Sequence, residues 1–327
     1  MTGGAGRVGA AVLRRLSGAG YDLTVIGRRK DARPAAGRYV PCDVADVETL
    51  VPLLRGVGAV VHLAALPSPG YPPQEVFQNN AAGSFALYEA AARAGVHRVV
   101  TASSINALGY NWGVRSFALS YLPLDEQHPL EATDAYSFSK QVTERIADYA
   151  WRRDGISGVC LRLPYVAAEV QSSREHVQKH AAACRASWEA LLRLSADQRA
   201  EKAREWIAHR QAHMAARKAE GAGPGEPYVF PDPLTFLRTD FWTRIDERDS
   251  AQAIEKAIVG DYEGSHPLFV NDTHNVTGVP SLELARLFFP EAVLHEERLQ
   301  GCSSLVSIDA ARALLGFEPE HSVGRWL

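Results

Sequence analysis

Four glycines crowded into the first nine residues, Met1-Thr2-Gly3-Gly4-Ala5-Gly6-Arg7-Val8-Gly9, constrain this chain more than any other feature. Gly4, Gly6 and Gly9 fit G-x-G-x-x-G, and Gly3, Gly6 and Gly9 fit the looser T-G-x-x-G-x-x-G. Such spacing gives a tight turn, backbone bare enough to touch a pyrophosphate, and a helix packed closely on its strand. Unpaired N–H groups at the helix start then face the phosphate charge. Val8, Ala11, Val12 and Leu16 form the apolar stripe of the helix that follows, and Gly18 and Gly20 stop it. A buried strand belongs before the turn, and only Met1 stands in its place. Four buried apolar side chains there would be worth roughly 6 to 12 kcal/mol, comparable with a whole domain's stability of roughly 5 to 15 kcal/mol. The expectation is that the first β-strand is missing, that the native start lies upstream, and that Met1 marks the strand's last position.

Strands and helices then alternate, which predicts an α/β, Rossmann-like, doubly wound parallel sheet. Tyr21–Ile26 reads as a strand closed by Gly27-Arg28-Arg29-Lys30. No acid stands there to bind a ribose 2′-OH, and Arg28 and Arg29 suit a 2′-phosphate, so NADP(H) is favoured over NAD(H); the plainer reading is a solvated basic turn. Arg38–Asp43 makes a third strand whose terminal Asp43 can accept from an adenine amino group, and Asp46 opens a helix through Leu54. Ala59–Ala65 is a buried strand ending in small residues, with His62 a packed strand residue. Pro72 and Pro73 open a long helix predicted to turn Phe77, Ala81, Phe85, Tyr88 and Ala92 to the core, interrupted at Asn80 and Gly83, with Asn80 bonding backbone. His97–Ala102 leads to Ser103-Ser104, at the strand end that faces a ligand crevice. Tyr136-Ser137-Phe138-Ser139-Lys140 opens another helix, where i,i+4 spacing puts the Lys140 ammonium beneath the Tyr136 ring. A positive charge so placed is expected to lower the Tyr136 pKa.

In this order the motifs resemble the extended short-chain dehydrogenase/reductase superfamily, the branch of NAD(P)-dependent epimerases and dehydratases, from Thr2 to about Leu163. The resemblance implies a phosphate loop at Gly3, Gly6, Arg7, Val8 and Gly9, an adenine contact at Asp43 and Val44, and a cofactor-facing strand end at Leu63, Ala64 and Ala65. Arg28, Asn80, Pro164, Tyr136 and Lys140 complete the implied cofactor set. It also implies Ser104 as catalytic serine, with Ser103 the lesser candidate, Tyr136 as acid/base, and Lys140 as ribose ligand and tuner of Tyr136. Pro123-Leu124-Asp125-Glu126, with His128-Pro129, and Arg162-Leu163-Pro164 match further segments. The family's dehydratases carry acids just after the catalytic serine; Ile105 and Asn106 stand there instead, which disfavours loss of water. Ala107-Leu108-Gly109-Tyr110 and Tyr165-Val166-Ala167-Ala168 also depart from the usual loops, the former being somewhat like the uronate dehydrogenases.

Residues 1–165, with 240–263 returning, are expected to form the NAD(P)-binding domain; 166–239 and 264–327 form a small substrate lobe with a helical insertion at 171–220. Ser195-Ala196-Asp197-Gln198 reads as a capping box between two charged helices ended by Gly221–Gly225. Trp188, Leu191, Leu192 and Trp206 suggest that these helices pack on something, as a lid or on a partner subunit. His176 with His180, and His209 with His213, are i,i+4 pairs lacking a third ligand, so no metal site is assigned; a zinc-binding helical module remains a rival reading. Asp246-Glu247-Arg248-Asp249, followed by Ala251, Ile254 and Ile258, resembles the family's return segment, where an acidic-basic cluster caps a helix near the substrate lobe, and simple capping by Asp249 or Ser250 is the plainer reading; Pro267–Asn271 is a strand, Ser281 caps a helix through Phe288, and Ile308–Gly316 holds the last.

A net charge of −3 gives no reason to expect nucleic acid or anionic membrane. Cys42, Cys160, Cys184 and Cys302 lack paired spacing, and no apolar run spans a membrane, so a cytoplasmic protein is expected. The implied function is hydride transfer on a sugar or sugar nucleotide, by an oxidoreductase or epimerase that the resemblance makes a homodimer through helices starting near Gln74 and Asp134. The alternative is a non-catalytic NAD(P)-binding regulator or scaffold.

Overall fold

Helix α1 (Arg7–Gly18) begins directly after the glycine turn, with Gly6 as N-cap and Ala11, Val12, Leu13 and Leu16 buried. The computed structural model describes residues 1–67, 71–115, 117–219 and 228–327; the Gly221–Gly225 stop therefore lies outside the described residues. Strands β1 (Thr24–Gly27), β2 (Arg38–Pro41), β3 (Val60–His62) and β4 (Arg98–Ala102) are joined by Ser157–Arg162 and Ser265–Phe269. All pairings are parallel: β2 on β1, and β3, β4, Ser157–Arg162 and Ser265–Phe269 in that order.

Between β1 and β3 lie Met1 and Thr2. Thr2 forms single parallel bridges to Ile26 and His62. The Ile26 N–H donates to Met1 O (2.8 Å), and Thr2 N–H donates to Val61 O (2.9 Å). Met1 and Thr2 thus lie where the end of a first strand was expected, forming a bridge rather than a strand. The Met1 ammonium donates to Thr24 O (2.7 Å), and burial lowers its pKa to about 6. Thr2 Oγ1 accepts from Ala64 N–H (3.1 Å) and lies 2.8 Å from His62 Nδ1, while His62 Nε2 lies 3.1 Å from Ser84 Oγ. His62 is the packed residue its strand predicts, and burial pushes its pKa down to about 3.

Strand alternation feeds two cores. Val100, Val159 and Leu161 pack with α1 residues Val12 and Leu16 and with Ile254 of helix Glu247–Val259. Val99 and Cys160 point the other way, onto α2 (Val47–Leu54), α4 (Gly83–Ala94) and α5 (Ala135–Asp154), through Leu50, Leu87, Tyr88 and Ile146. The helix opened by the two prolines is not continuous: α3 (Pro73–Phe77) passes through a π turn at Gln78–Ala82 into α4. The wider turn changes which faces meet the sheet, so Val76, Asn80, Ala81, Leu87 and Tyr88 are buried, whereas Phe77 and Phe85 are 40% and 45% exposed, contrary to expectation.

A third core fills the C-terminal lobe and takes in the helical insertion, Arg174–Leu192 and Ala196–Ala219. The capping box is reciprocal: Gln198 N–H donates to Ser195 Oγ (3.2 Å) and Ser195 N–H to Gln198 Oε1 (3.0 Å). Leu191 and Trp206 pack inside this lobe, the latter stacked on Phe288, so the insertion has its partner within the chain; Leu192 is exposed. Asp246, with Arg248 bonded to it, caps Glu247–Val259, as the acidic-basic cluster suggested, and the plainer reading of Asp249 or Ser250 as cap does not hold, because Asp249 is already engaged by the Glu320 and His321 N–H groups. Pro280 rather than Ser281 is the cap of Ser281–Phe288, since Ser281 Oγ donates to Ser303 O. The last helix runs Asp309–Leu315 and ends on Gly316 at φ +61°. Among the described residues, no helix is long and apolar enough to cross a membrane.

Candidate active site

Bare backbone at the glycine turn is a packing requirement. A Cβ on Gly9 would stand 2.3 Å from Gly3 O and 2.7 Å from Gly4 Cα, and one on Gly3, at φ +71°, would stand 2.6 Å from Leu63 C. A Cβ on Gly6 would be 3.4 Å from Gly3 O, leaving that face of the turn open toward the start of α1. Gly6 makes no side-chain cap, so the first N–H groups of α1 are available to an anion. Arg7 reaches across the cleft, its guanidinium donating to Val166 O (2.7 Å).

Two cavities open where the strands end. One, of about 460 Å³, is lined by Arg28, Asp43 and Val44, with Leu66, Gln78 and Gly83 opposite. The other, of about 320 Å³, is lined by Val8, Leu63, Ala65, Ser104, Tyr136, Lys140 and Pro164. Residues 63–67 border both. Asn80, 1% exposed, holds that loop: its Oδ1 accepts from Leu66 N–H (2.7 Å), and its Nδ2 donates to Leu66 O (3.1 Å) and Ser139 Oγ (3.1 Å). Asn80 therefore acts on backbone, as its position in the helix suggested. Ala64 lies on the same loop through its N–H bond to Thr2 Oγ1. Asp43 Oδ1 accepts from Ala45 N–H (3.0 Å), fixing the carboxylate at the rim of the larger cavity.

These residues fit a dinucleotide: the bare glycine turn would take its phosphates, Asp43 and Arg28 its adenosine end, and the hydroxyl groups of Ser104 and Tyr136 would stand at its other end.

Geometry separates the two serines. Ser103 donates its only hydroxyl hydrogen to Glu144 Oε1 (2.6 Å), and Glu144, itself buried, pairs with the buried Arg162 at 2.9 Å. Ser104 Oγ accepts from Asn106 N–H (3.1 Å), and its hydroxyl bonds the Tyr136 phenol. Lys140 Nζ donates to Ala102 O (2.8 Å) and stands 5.8 Å from the Tyr136 ring centroid. Burial, with Asp134 and Asp240 nearby, pushes Tyr136 up to about 12 against the pull of the Ser104 hydroxyl. Burial also lowers Lys140 to about 8. The expected lowering of Tyr136 is thus reversed in this structure, because loss of solvent outweighs the neighbouring groups.

Several residues of this site escaped sequence reasoning. Glu144 follows Tyr136 and Lys140 at the same i+4 step, which was a readable signal. Asn111 and Asp240 also line the smaller cavity. Asn111 Nδ2 donates to Asp240 Oδ1 (3.0 Å), and burial raises Asp240 to about 6 against the pull of Arg210. Asp240 sits on a turn between Leu237, Phe241 and Trp242, all at φ between +50° and +58°. Such backbone costs about 1 to 3 kcal/mol per residue and is held here by the buried Phe241 and Trp242 rings. No pattern in the sequence signals it.

A doubly wound parallel sheet with a bare glycine turn at the start of α1 and with Ser104, Tyr136 and Lys140 on one cavity defines an α/β fold of the dinucleotide-binding class. The NAD dependent epimerase/dehydratase family matches residues 1–216, and the chain belongs to that family, within the extended short-chain dehydrogenase/reductase superfamily. It is 32% identical over 183 residues to a UDP-glucose 4-epimerase of Azospirillum brasilense, covering 53% of this chain and 50% of that one. It is also 32% identical over 167 residues to a uronate dehydrogenase of Pseudomonas putida, covering 50% and 59%. The chain thus spans about half the length of these relatives. Its fold is similar to that of a short-chain dehydrogenase/reductase superfamily protein from Agrobacterium tumefaciens with bound NAD, at TM-score 0.60 and 22% identity, covering 100% of this chain and 93% of the other.

Proposed function

We propose that this chain is an NAD(P)-dependent oxidoreductase or epimerase acting at a hydroxyl or carbonyl carbon of a sugar or sugar nucleotide. The observation that carries this reading is the convergence of Ser104, Tyr136 and Lys140 on one cavity beside the glycine cradle. When bound, the nicotinamide supplies the hydride acceptor or donor. Tyr136 takes the proton of the substrate hydroxyl or returns it, and the Ser104 O–H donates to the same oxygen. Lys140, with one N–H spent on Ala102 O, keeps two for ribose hydroxyls. Ile105 is buried and Asn106 is an amide, so neither supplies the acid that loss of water would need.

Arg28 in the larger cavity supports NADP(H) over NAD(H), with Asp43 taking the adenine amino group. Residues 1–165, with 240–263, serve as the cofactor domain in this reading, and the remainder as the substrate lobe. A homodimer is part of it: Phe77 stacks on Phe138 and Phe85 on Tyr149, and these four rings, 40% to 48% exposed, form one apolar stripe along α3, α4 and α5. The test is nicotinamide absorbance, which reads net oxidation, together with NMR analysis of the recovered sugars, which reads epimerisation, on incubation with NAD+ or NADP+ and a panel of aldoses, uronates and UDP-sugars. Turnover is expected in the native chain, and Tyr136→Phe should lose about 100-fold or more of it. Unchanged turnover in Tyr136→Phe would overturn the role of that phenol, and binding without turnover across the panel would favour a non-catalytic regulator.

A further inference from the structure

We propose that Arg210, on the inserted helix Ala196–Ala219, is a positioning residue for the reaction cavity: it fixes the Asn111 amide, and through that amide the Asp240 carboxylate, at the wall beside Tyr136; this rests on the function proposed above. The helix face explains why Arg210 points inward. Ala203, Trp206 and Met214 are buried, and Arg210 stands four residues after Trp206 and four before Met214, so it shares their face. Its Nη2 donates to Asn111 O (3.1 Å) and to Asn111 Oδ1, and its guanidinium lies 5.3 Å from the Tyr228 ring centroid. Thr239 Oγ1 donates to the same Asn111 Oδ1 (2.6 Å). With two donors on its oxygen, the amide turns its NH2 to Asp240, and Nδ2 donates to Asp240 Oδ1 at 3.0 Å. Asn111 and Asp240 both line the cavity that holds Ser104, Tyr136 and Lys140. Contact therefore passes from the inserted helix to the cavity wall through a single amide.

Burial raises Asp240 to about 6, and Arg210 and the Asn111 amide pull against that rise. Tyr136, Tyr165 and Lys140 share the cavity with it, and on its own turn Arg238 lies over the rings of Tyr110 and Phe289, 5.9 Å and 5.7 Å from their centroids. A buried carboxylate stays charged at neutral pH through a nearby cation and a donor. Loss of Arg210 removes the cation and takes one donor from the Asn111 oxygen, so Asp240 binds its proton more tightly and the wall loosens. The reacting groups have other supports: Ser104 follows β4, and Tyr136 and Lys140 sit on α5, where Lys140 bonds Ala102 O (2.8 Å). The Asp240 charge also opposes ionisation of Tyr136, so its protonation does not hinder the phenol.

The test is a pH titration by carbon NMR of the full chain, isotopically labelled at the aspartate Cγ, with the Asp240 resonance assigned by its loss in Asp240→Asn. In Arg210→Met, Asp240 is expected to bind its proton about tenfold more tightly than in the native chain. In Arg210→Lys, which keeps a charge and donors for Asn111, it should stay within about threefold of native. Both variants should melt cooperatively, which reports an intact fold. An unchanged Asp240 titration in Arg210→Met, or an Arg210→Lys that titrates as Arg210→Met does, overturns the proposal. Should Arg210→Met fail to fold, Asn111→Ala decides: tighter proton binding at Asp240 supports the link, and an unchanged titration overturns it. Turnover of the same sugar panel is read alongside. Arg210→Met should raise KM about tenfold without loss of kcat, as expected when binding common to ground and transition states is lost, and an unchanged KM overturns the positioning role. A native chain that turns over none of the panel, with Asp240 titrating as stated, overturns the proposed function and leaves the contact standing, whereas turnover with an unchanged titration overturns the contact alone.

Discussion

Around the glycine turn, the groups that shape the cleft come from the first nine residues and from the strand ends beside them, Val25 and Leu63. Around Asp240, the cavity is closed by Asn111, by Arg210 on the inserted helices, and by a turn of three left-handed residues. The first region is specified by local spacing, where a glycine is needed because a Cβ meets backbone. The second is specified by long-range contacts that hold an unfavourable conformation. One end of the cleft is therefore generic to the fold, and the other particular to this chain.

The largest expected effect lies where the two regions join. Glu144→Gln leaves Arg162 buried without its countercharge and should cost about 3 to 5 kcal/mol, read as a drop in urea midpoint; a change within error would mean that the Ser103-Glu144-Arg162 interior carries no weight. Gly9→Ala tests the locally specified end. The clash with Gly3 O and Gly4 Cα should raise the cofactor Kd by about 100-fold, near the upper end of overpacking strain, with Tm falling in parallel. Normal affinity would show that the turn yields easily.

His62 ties Thr2 to Ser84 at the same end and gives a pH dependence. Its folded pKa, about 3, lies below its ordinary 6.5, so the unfolded chain binds the extra proton between those values. The stability contribution is present above pH 6.5 and lost as pH falls toward 3, by about 2 kcal/mol between pH 6.5 and 4.5. His62→Gln should flatten that portion of the urea-stability profile; an unaltered slope would contradict the assignment. The smallest effect is at the cavity rim. Arg28→Ala should weaken NADP+ by about tenfold and leave NAD+ nearly unchanged, by calorimetry, and equal losses for both would remove the 2′-phosphate contact.

Legibility followed the same division. Tyr136, Lys140 and Ser104 could be placed from strand and helix patterns, because i,i+4 spacing and a strand terminus fix their directions locally. The capping box at Ser195 was readable for the same reason. The interruption that Asn80 and Gly83 signal falls at the π turn Gln78–Ala82, but nothing in the sequence signals the change of faces that leaves Phe77 and Phe85 exposed. Asp246 displaced Asp249 as helix cap because Asp249 serves the distant Glu320 and His321 backbone. The direction of the Tyr136 shift was misjudged because burial depends on the whole cavity. Asp240 was invisible, since no residue type in that turn announces a left-handed backbone.

The most direct measurement is a crystal structure of the chain with NAD+ or NADP+ bound. The account predicts adenine beside Asp43 and Val44, diphosphate on the first turn of α1, and nicotinamide against Pro164 with Tyr136 and Ser104 open beside it. Adenine in the Tyr136 cavity, or a nicotinamide that never reaches Tyr136 and Lys140, would contradict it.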